Sequence, residues 1–246
     1  MINGRTQSIL EASVRDFIKK GEPITSDSLF DSYKFGIKPA MIRWELNGLD
    51  EAGYLTQLYT SSGRVPTAKA YQFFVNDILN QETDYVFADL ANVLMNSFWR
   101  DEKESFVEEI AKELRVLSVG YEAEEARIYN SGLKELVENF DFKSKNDLIE
   151  LVRDFEFLGE NLASQRKWWL KENSWPQVFI GKSPITKCEH LSVLMEKLND
   201  GGSDFILAVI GPKRMDYEKS LKVLKSLGGK KKNKKYGGRT ATKSTK

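Results

Sequence analysis

The chain holds one cysteine, Cys188, and one histidine, His190, among 246 residues. A lone cysteine excludes an internal disulfide and fits a reducing compartment. Cys188 and His190 together supply two metal ligands at most, short of the four a structural zinc site takes. With a single histidine, a histidine-based triad is excluded everywhere except at His190, and no GxxxxGK[ST] phosphate loop occurs. No catalytic constellation is left, so an enzyme is the least favoured class, and neither a metal nor a cofactor is expected. Apolar runs are short as well. None approaches the roughly 18 residues of a membrane-spanning helix, so no membrane partner is expected. The opening MINGRTQSILEAS lacks the basic-then-apolar layout of a signal peptide, which points to a cytoplasmic protein.

What is present is an ordinary globular composition, 41% hydrophobic and 30% charged, with a net charge of +1 that conceals an asymmetry. Residues 1–79 balance to zero, residues 80–227 sum to −7, and residues 228–246 to +8. That division gives three expected regions with the same boundaries. The closing KKKNKKYGGRTATKSTK is too polar to bury and is expected to be a disordered basic arm that meets phosphates without reading bases.

Periodicity organises the first region. Ile9, Leu10, Val14, Phe17 and Ile18 share a helix face, and Gly21 with Pro23 ends that helix. Thr25 and Ser26 can cap a second, short helix, expected to bury Leu29 and Phe30 and to end near Phe35-Gly36. A third begins at Pro39 and runs to Ala52, with Ile42, Leu46 and Leu49 inward. Tyr54 to Tyr59 alternates as a strand. A turn at Ser61-Ser62-Gly63-Arg64 follows, Val65 opens a return strand, and Pro66-Thr67 starts a helix carrying Tyr71, Phe74, Val75 and Ile78. Three helices, a hairpin and a closing helix is the winged-helix order, with helices two and three as the helix-turn-helix.

Beyond it, residues 84–114 suit one or two amphipathic helices that connect domains or pack across a dimer. Residues 131–139 and 144–172 are helical again. Strands are expected at 178–180, 191–194 and 205–210, and a last helix after Gly211-Pro212 uses Tyr217, Leu221, Val223, Leu224 and Leu227. Trp168, Trp169 and Trp175 favour core packing over an exposed patch, and Gly211 to Tyr217 a strand-to-helix turn with Asp216 as cap. The overall class is α+β.

Two blocks carry a resemblance. PAMIRWELNGLDEAGYLTQLYTSSGRVPTAKAYQFFV, residues 39–75, couples a Ser-Gly-Arg-Val-Pro-Thr wing to Gly-Tyr-Leu-Thr-Gln. Far downstream stand Val209-Ile210-Gly211-Pro212-Lys213-Arg214-Met215-Asp216-Tyr217, preceded by Val178-Phe179-Ile180-Gly181. In this order the blocks resemble the heat-inducible transcription repressor family, HrcA. The resemblance implies a repressor of chaperone operons, a homodimer on an inverted-repeat operator in double-stranded DNA, a GAF-like domain after the winged helix, and a GroEL-type chaperonin as partner. This chain departs from the family pattern. It is shorter, with the shortfall around residues 115–145, so the inserted dimerisation domain is expected to be missing and the GAF-like α/β domain reduced. Lys38 stands in place of a capping serine, and Trp44 in place of asparagine.

A recognition helix reads base edges with its outward first turns, here Lys38, Ala40, Met41, Arg43, Trp44 and Asn47. Arg43 suits guanine or phosphate, Ala40 and Met41 a thymine methyl, and Trp44 either DNA or packing on helix two. Arg64 is expected at the wing tip, entering the minor groove or meeting phosphate. Thr25, Ser26, Ser28, Ser61, Ser62 and Lys69 are expected phosphate ligands. Two rival readings stay open: a regulator that answers to a small ligand, which would need a pocket of convergent polar groups, and a winged helix that binds protein.

Overall fold

The computed structural model describes residues 3–57, 59, 62–81, 85–142, 144–199 and 203–230. Ser61 and the basic arm beyond residue 230 therefore lie outside the described residues.

Helix α1 (Gly4–Lys20) starts where the Asn3 side chain accepts from the Thr6 N–H at 2.9 Å and stops at Gly21, φ +71°. That left-handed turn is cheap only for glycine. Helix α2 (Ser26–Ser32) opens with a reciprocal capping box between Thr25 and Ser28. It ends earlier than periodicity suggests because Tyr33 turns extended, stacks on Phe35 at 5.8 Å and packs with it against the core. Phe30, expected inside, is consequently 46% exposed. Helix α3 (Pro39–Glu51) has proline in its first turn, where the missing N–H costs nothing, and buries Ile42, Leu46 and Leu49. Strands β1 (Leu55–Gln57) and β2 (Arg64–Pro66) pair antiparallel, Thr56 opposite Val65. Pro66 closes β2 and does not open a helix. Thr67 caps α4 (Ala68–Asn80), accepting from Ala70 N–H while its hydroxyl donates to the Gly53 carbonyl at 2.8 Å.

Next come α5 (Tyr85–Trp99), α6 (Lys103–Leu114), β3 (Leu117–Glu122), β4 (Arg127–Ser131) and α7 (Leu133–Asn139). They are followed by α8 (Lys145–Glu156), α9 (Leu158–Ser164), α10 (Arg166–Lys171), β5 (Gln177–Ile180), β6 (Leu191–Asn199), β7 (Asp204–Pro212) and α11 (Tyr217–Gly228). The five longer-range strands form one antiparallel sheet in the order β4-β3-β7-β6-β5.

Alternation along these strands divides the core into two layers. Val119, Tyr121, Val193, Met195, Ile206 and Ala208 face a cluster that includes Leu136, Leu151, Leu162 and Trp169 from the helices α7 to α10. Leu194, Leu198, Phe205, Leu207 and Val209 face the other way, onto α5, α6 and α11. That second cluster continues without a break into α1, α3 and α4, so no gap in the core marks residue 80. Trp169 is 1% exposed, its indole donating to the Leu162 carbonyl at 3.0 Å, and Trp168 stacks edge-on to it and to Trp175. Asp216 caps α11 by accepting from Lys219 N–H.

Residues 115–130, where periodicity assigned no element, hold β3, which sits between β4 and β7, and most of β4. β3 escapes detection because Ser118, Gly120 and Glu122 occupy its second buried face. Gly120 is there to admit Phe205, whose ring would lie 2.2 Å from an added Cβ. Helices α5 and α6 do not wait for a partner copy. Leu94, Phe98, Phe106 and Ile110 are buried within their own chain, Phe98 and Phe106 against Phe205.

Candidate nucleic-acid interface

Helix α3 presents one face to the interior and one to solvent, with no mixing. Ile42, Leu46 and Leu49 are fully buried, whereas Lys38, Ala40, Met41, Arg43, Trp44 and Asn47 are all exposed. Trp44 is 64% exposed. An indole left this far in water, with Met41 42% exposed on the same helix, is an unfilled contact surface. Arg43 forms no ion pair among the described residues.

A buried carboxylate, not foreseen from the sequence, fixes the axis of this helix. Glu45, 2% exposed, accepts from Arg5 Nε at 2.9 Å and from the Thr6 hydroxyl at 2.7 Å, tying α3 to the start of α1. A buried charge is tolerated only when so engaged. Nothing local at position 45 signals it, because its partners lie some forty positions away.

The hairpin is held against the α1–α2 connection by an isolated bridge. Ile24 N–H donates to the Arg64 carbonyl at 2.7 Å and Arg64 N–H to the Ile24 carbonyl at 2.8 Å. Gly63 makes this approach feasible, since an added Cβ would stand 2.6 Å from the Ile24 carbonyl oxygen. Ser62 closes the turn, its hydroxyl accepting from Tyr59 N–H and donating to the Tyr59 carbonyl. Gln57 adds a bond to the Ser62 carbonyl at 3.2 Å.

Arg64 is not at the wing tip. It is the first residue of β2, and its side chain, 13% exposed, folds back onto α3. Nε donates to Asp50 at 3.3 Å and Nη2 to the Asn47 amide oxygen. The arginine expected to enter a groove is instead a strap between hairpin and helix, and it engages Asn47 as well. Lys69 is committed too: its ammonium lies 2.7 Å from the Ala52 carbonyl and 4.3 Å over the Tyr54 ring, at the C-terminal end of α3 where a cation is favoured. Ser26 is largely buried at the start of α2. Thr25 and Ser28 spend their hydroxyls on the capping box, which leaves Thr25 exposed beside the start of α2.

Several expected residues do meet. Thr25, Ser26, Arg43, Asn47, Ser62 and Arg64 line a single cleft of about 450 Å³ between α2, α3 and the hairpin. Cys188 is buried, and among the described residues no group of histidine, cysteine and carboxylate side chains is arranged to hold a metal. Among the described residues no helix is long and apolar enough to cross a membrane.

Residues 52–221 match a family model described as the HrcA protein C terminal domain, well over half of the chain. The chain belongs to the HrcA family. Its relatives include the heat-inducible transcription repressor HrcA of Natranaerobius thermophilus, 41% identical over 80 residues, or 32% of this chain and 23% of the relative. The protein of the same name from Bifidobacterium animalis subsp. lactis is 45% identical over 78 residues, 32% of this chain and 21% of its own. That of Alkaliphilus metalliredigens is 38% identical over 99 residues, 39% of this chain and 29% of its own. The aligned stretches thus span under a third of these relatives' length. A crystal structure of a hypothetical protein shares the fold with a TM-score of 0.69 at 16% identity, covering 93% of this chain and 98% of that one. Near-complete coverage both ways shows that this whole α+β arrangement recurs in a chain of similar size.

Proposed function

We propose that this HrcA-family chain is a transcriptional repressor that binds an inverted repeat in double-stranded DNA as a homodimer. Its N-terminal 79 residues act as a winged helix-turn-helix, and residues 80–227 as a reduced GAF-like domain that lacks the inserted dimerisation domain. One observation carries the reading: α3 exposes Lys38, Ala40, Met41, Arg43, Trp44 and Asn47 as a continuous outward set, beside a hairpin strapped to it. A helix of 13 residues fits the major groove, and its first turns hold the side chains that reach base edges. Lys38 and Arg43 supply phosphate or guanine contacts, and Met41 and Ala40 suit thymine methyls. Trp44 packs on sugar or base. Thr25, Ser28 and Ser62 approach the backbone at the margins.

Repression follows from occlusion, and the relatives' names support its target being heat-inducible genes. A GroEL-type chaperonin is the proposed partner that favours the active form. The pairing surface is not the inner face of α5 and α6; Val86 and Val93 of α5 remain 73% and 63% exposed and are available for it. Selecting bound sequences from a random duplex pool tests the reading. Enrichment of a two-fold-symmetric site with half-sites in successive major grooves is the expected result. A pool that returns no preferred sequence at physiological salt would leave the protein-binding alternative standing.

A further inference from the structure

Apart from the cleft between α2, α3 and the hairpin, with which it shares no lining residue, the chain contains an opening of about 530 Å³. That size lies within the roughly 300–1,000 Å³ typical of small-molecule sites. Its walls come from both halves of the protein. Phe17, Pro66 and Tyr71 belong to α1, β2 and α4, while Phe140, His190 and the Pro212–Arg214 turn belong to the sheet side. The lining combines apolar and aromatic side chains with four basic ones, Lys20, His190, Lys213 and Arg214, and one acid, Asp141.

Asp141 is the one carboxylate lining the opening, and Arg214 holds it through Nε and through Nη2 at 3.0 Å. The third guanidinium nitrogen, Nη1, lies beside Gly21 with no hydrogen bond among the described residues. Lys213 has no ion pair among the described residues, and nearby Glu189 is taken by Lys182 at 2.8 Å. The His190 ring meets Phe140 edge-on at 6.5 Å, and its nitrogens have no partner among the described residues. Lys20 also lines the opening, paired to Asp16 at 2.8 Å. Asp141, Glu189 and Asp16 are thus engaged, Glu22 between Gly21 and Pro23 forms no ion pair among the described residues, and the uncommitted donors are an ammonium, a guanidinium nitrogen and an imidazole.

The turn that carries them is preformed. Lys213 N–H donates to the His190 carbonyl at 2.9 Å, and Met215 N–H to the Pro212 carbonyl at 2.8 Å. The neighbouring cleft, which shares Pro212 and Arg214, carries three carboxylates, Glu113, Asp216 and Glu218. There Arg15 pairs with Glu218 and Lys219 with Glu113 at 2.7 Å, while Lys19 and Arg115 form no ion pair among the described residues.

We propose that this opening is a binding site for a small organic anion, a carboxylate or phosphate ester with an apolar body. The anionic group sits on Lys213, Arg214 Nη1 and His190, and the body lies against Phe140, Tyr71 and Pro66. Such a ligand bridges β2 of the N-terminal region to the β7–α11 turn, stiffening the hairpin relative to the sheet. The site does not depend on what α3 binds.

The test is thermal unfolding of the full chain at constant ionic strength with phenyl phosphate, benzoate, inorganic phosphate or the neutral benzamide, each at about 10 mM. A ligand that binds only the folded chain raises the midpoint, here by about 2–4 °C for the preferred organic anion. Phenyl phosphate above benzoate assigns a phosphate ester, and the reverse order a carboxylate. The shift should vanish in Lys213→Gln, shrink in His190→Asn and persist in Arg43→Gln, which alters only the α3 face. Should Lys213→Gln fail to fold, His190→Asn decides. No shift with either organic anion would overturn the proposal, as would equal shifts from benzamide or inorganic phosphate, or a shift undiminished in the folded rim variants.

Discussion

Replacing Arg64 by alanine tests whether the hairpin is positioned by α3 or merely adjoins it. The substitution removes a 3.3 Å charged bond to Asp50 and the bond to Asn47, from a side chain only 13% exposed. A hydrogen bond to a charged group is worth about 1.5–3 kcal/mol when sheltered. Asp50 is 31% exposed and regains water when its partner goes, so the net loss should be nearer 1–2 kcal/mol. In a chain of this size each kcal/mol moves the melting midpoint by about 2–4 °C, giving a fall of about 3–6 °C. Arg64→Lys should recover little, because an ammonium cannot present the fork that reaches both partners. A double-mutant cycle with Asp50→Ala should show coupling of about 1 kcal/mol. On DNA, the variant should lose affinity and also change preference at the base pair facing Asn47, whose amide is released. Circular dichroism melts and fluorescence anisotropy on specific and random duplexes measure both effects. If Arg64→Ala melts with the wild type, shows no coupling and weakens every duplex equally, Arg64 is a plain phosphate ligand and the strap is refuted.

Arg43→Ala should leave the melting midpoint unchanged, because the side chain is exposed and unpaired among the described residues. It should cost about 1–3 kcal/mol on the selected site and far less on random duplex, as measured by competition at one salt concentration. Gly63→Ala should lower stability by about 1–3 kcal/mol, since its Cβ would press to 2.6 Å on a backbone oxygen and open the Ile24–Arg64 bridge. Hydrogen exchange at the amides of Ile24 and Arg64 reports that opening. Glu196, 4% exposed on β6 and set against Gly228, has its carboxyl pushed up to about 8 by burial. A raised carboxyl favours the folded state when protonated. Its own contribution to stability should therefore be most favourable below about pH 4.5 and fall by up to about 5 kcal/mol as pH climbs to 8. Urea titrations of Glu196→Gln across this range should lack that slope, and a wild-type slope retained in the variant would contradict the assignment.

The amino-acid sequence by itself determined what depends on neighbours a few positions apart. The faces of α1, α3, α4 and α11 followed from apolar spacing, and the caps at Thr25 and Asp216 from residue type. The outward set on α3 followed because Ile42, Leu46 and Leu49 can point only one way. Tertiary structure decided whatever rests on partners far along the chain. β3 is a central strand although Ser118, Gly120 and Glu122 interrupt its apolar pattern, because Phe205 fills the space that Gly120 leaves. Arg64 is a strap and not a wing-tip probe, because Asp50 and Asn47 stand within its reach across the hairpin. Lys69 is bound to the end of α3, and Glu45 is a buried anchor for α1. Periodicity tells which side of an element faces inward. It carries no information about which distant side chain waits there, so it finds the exposed helix face but not the contacts that hold that face in place.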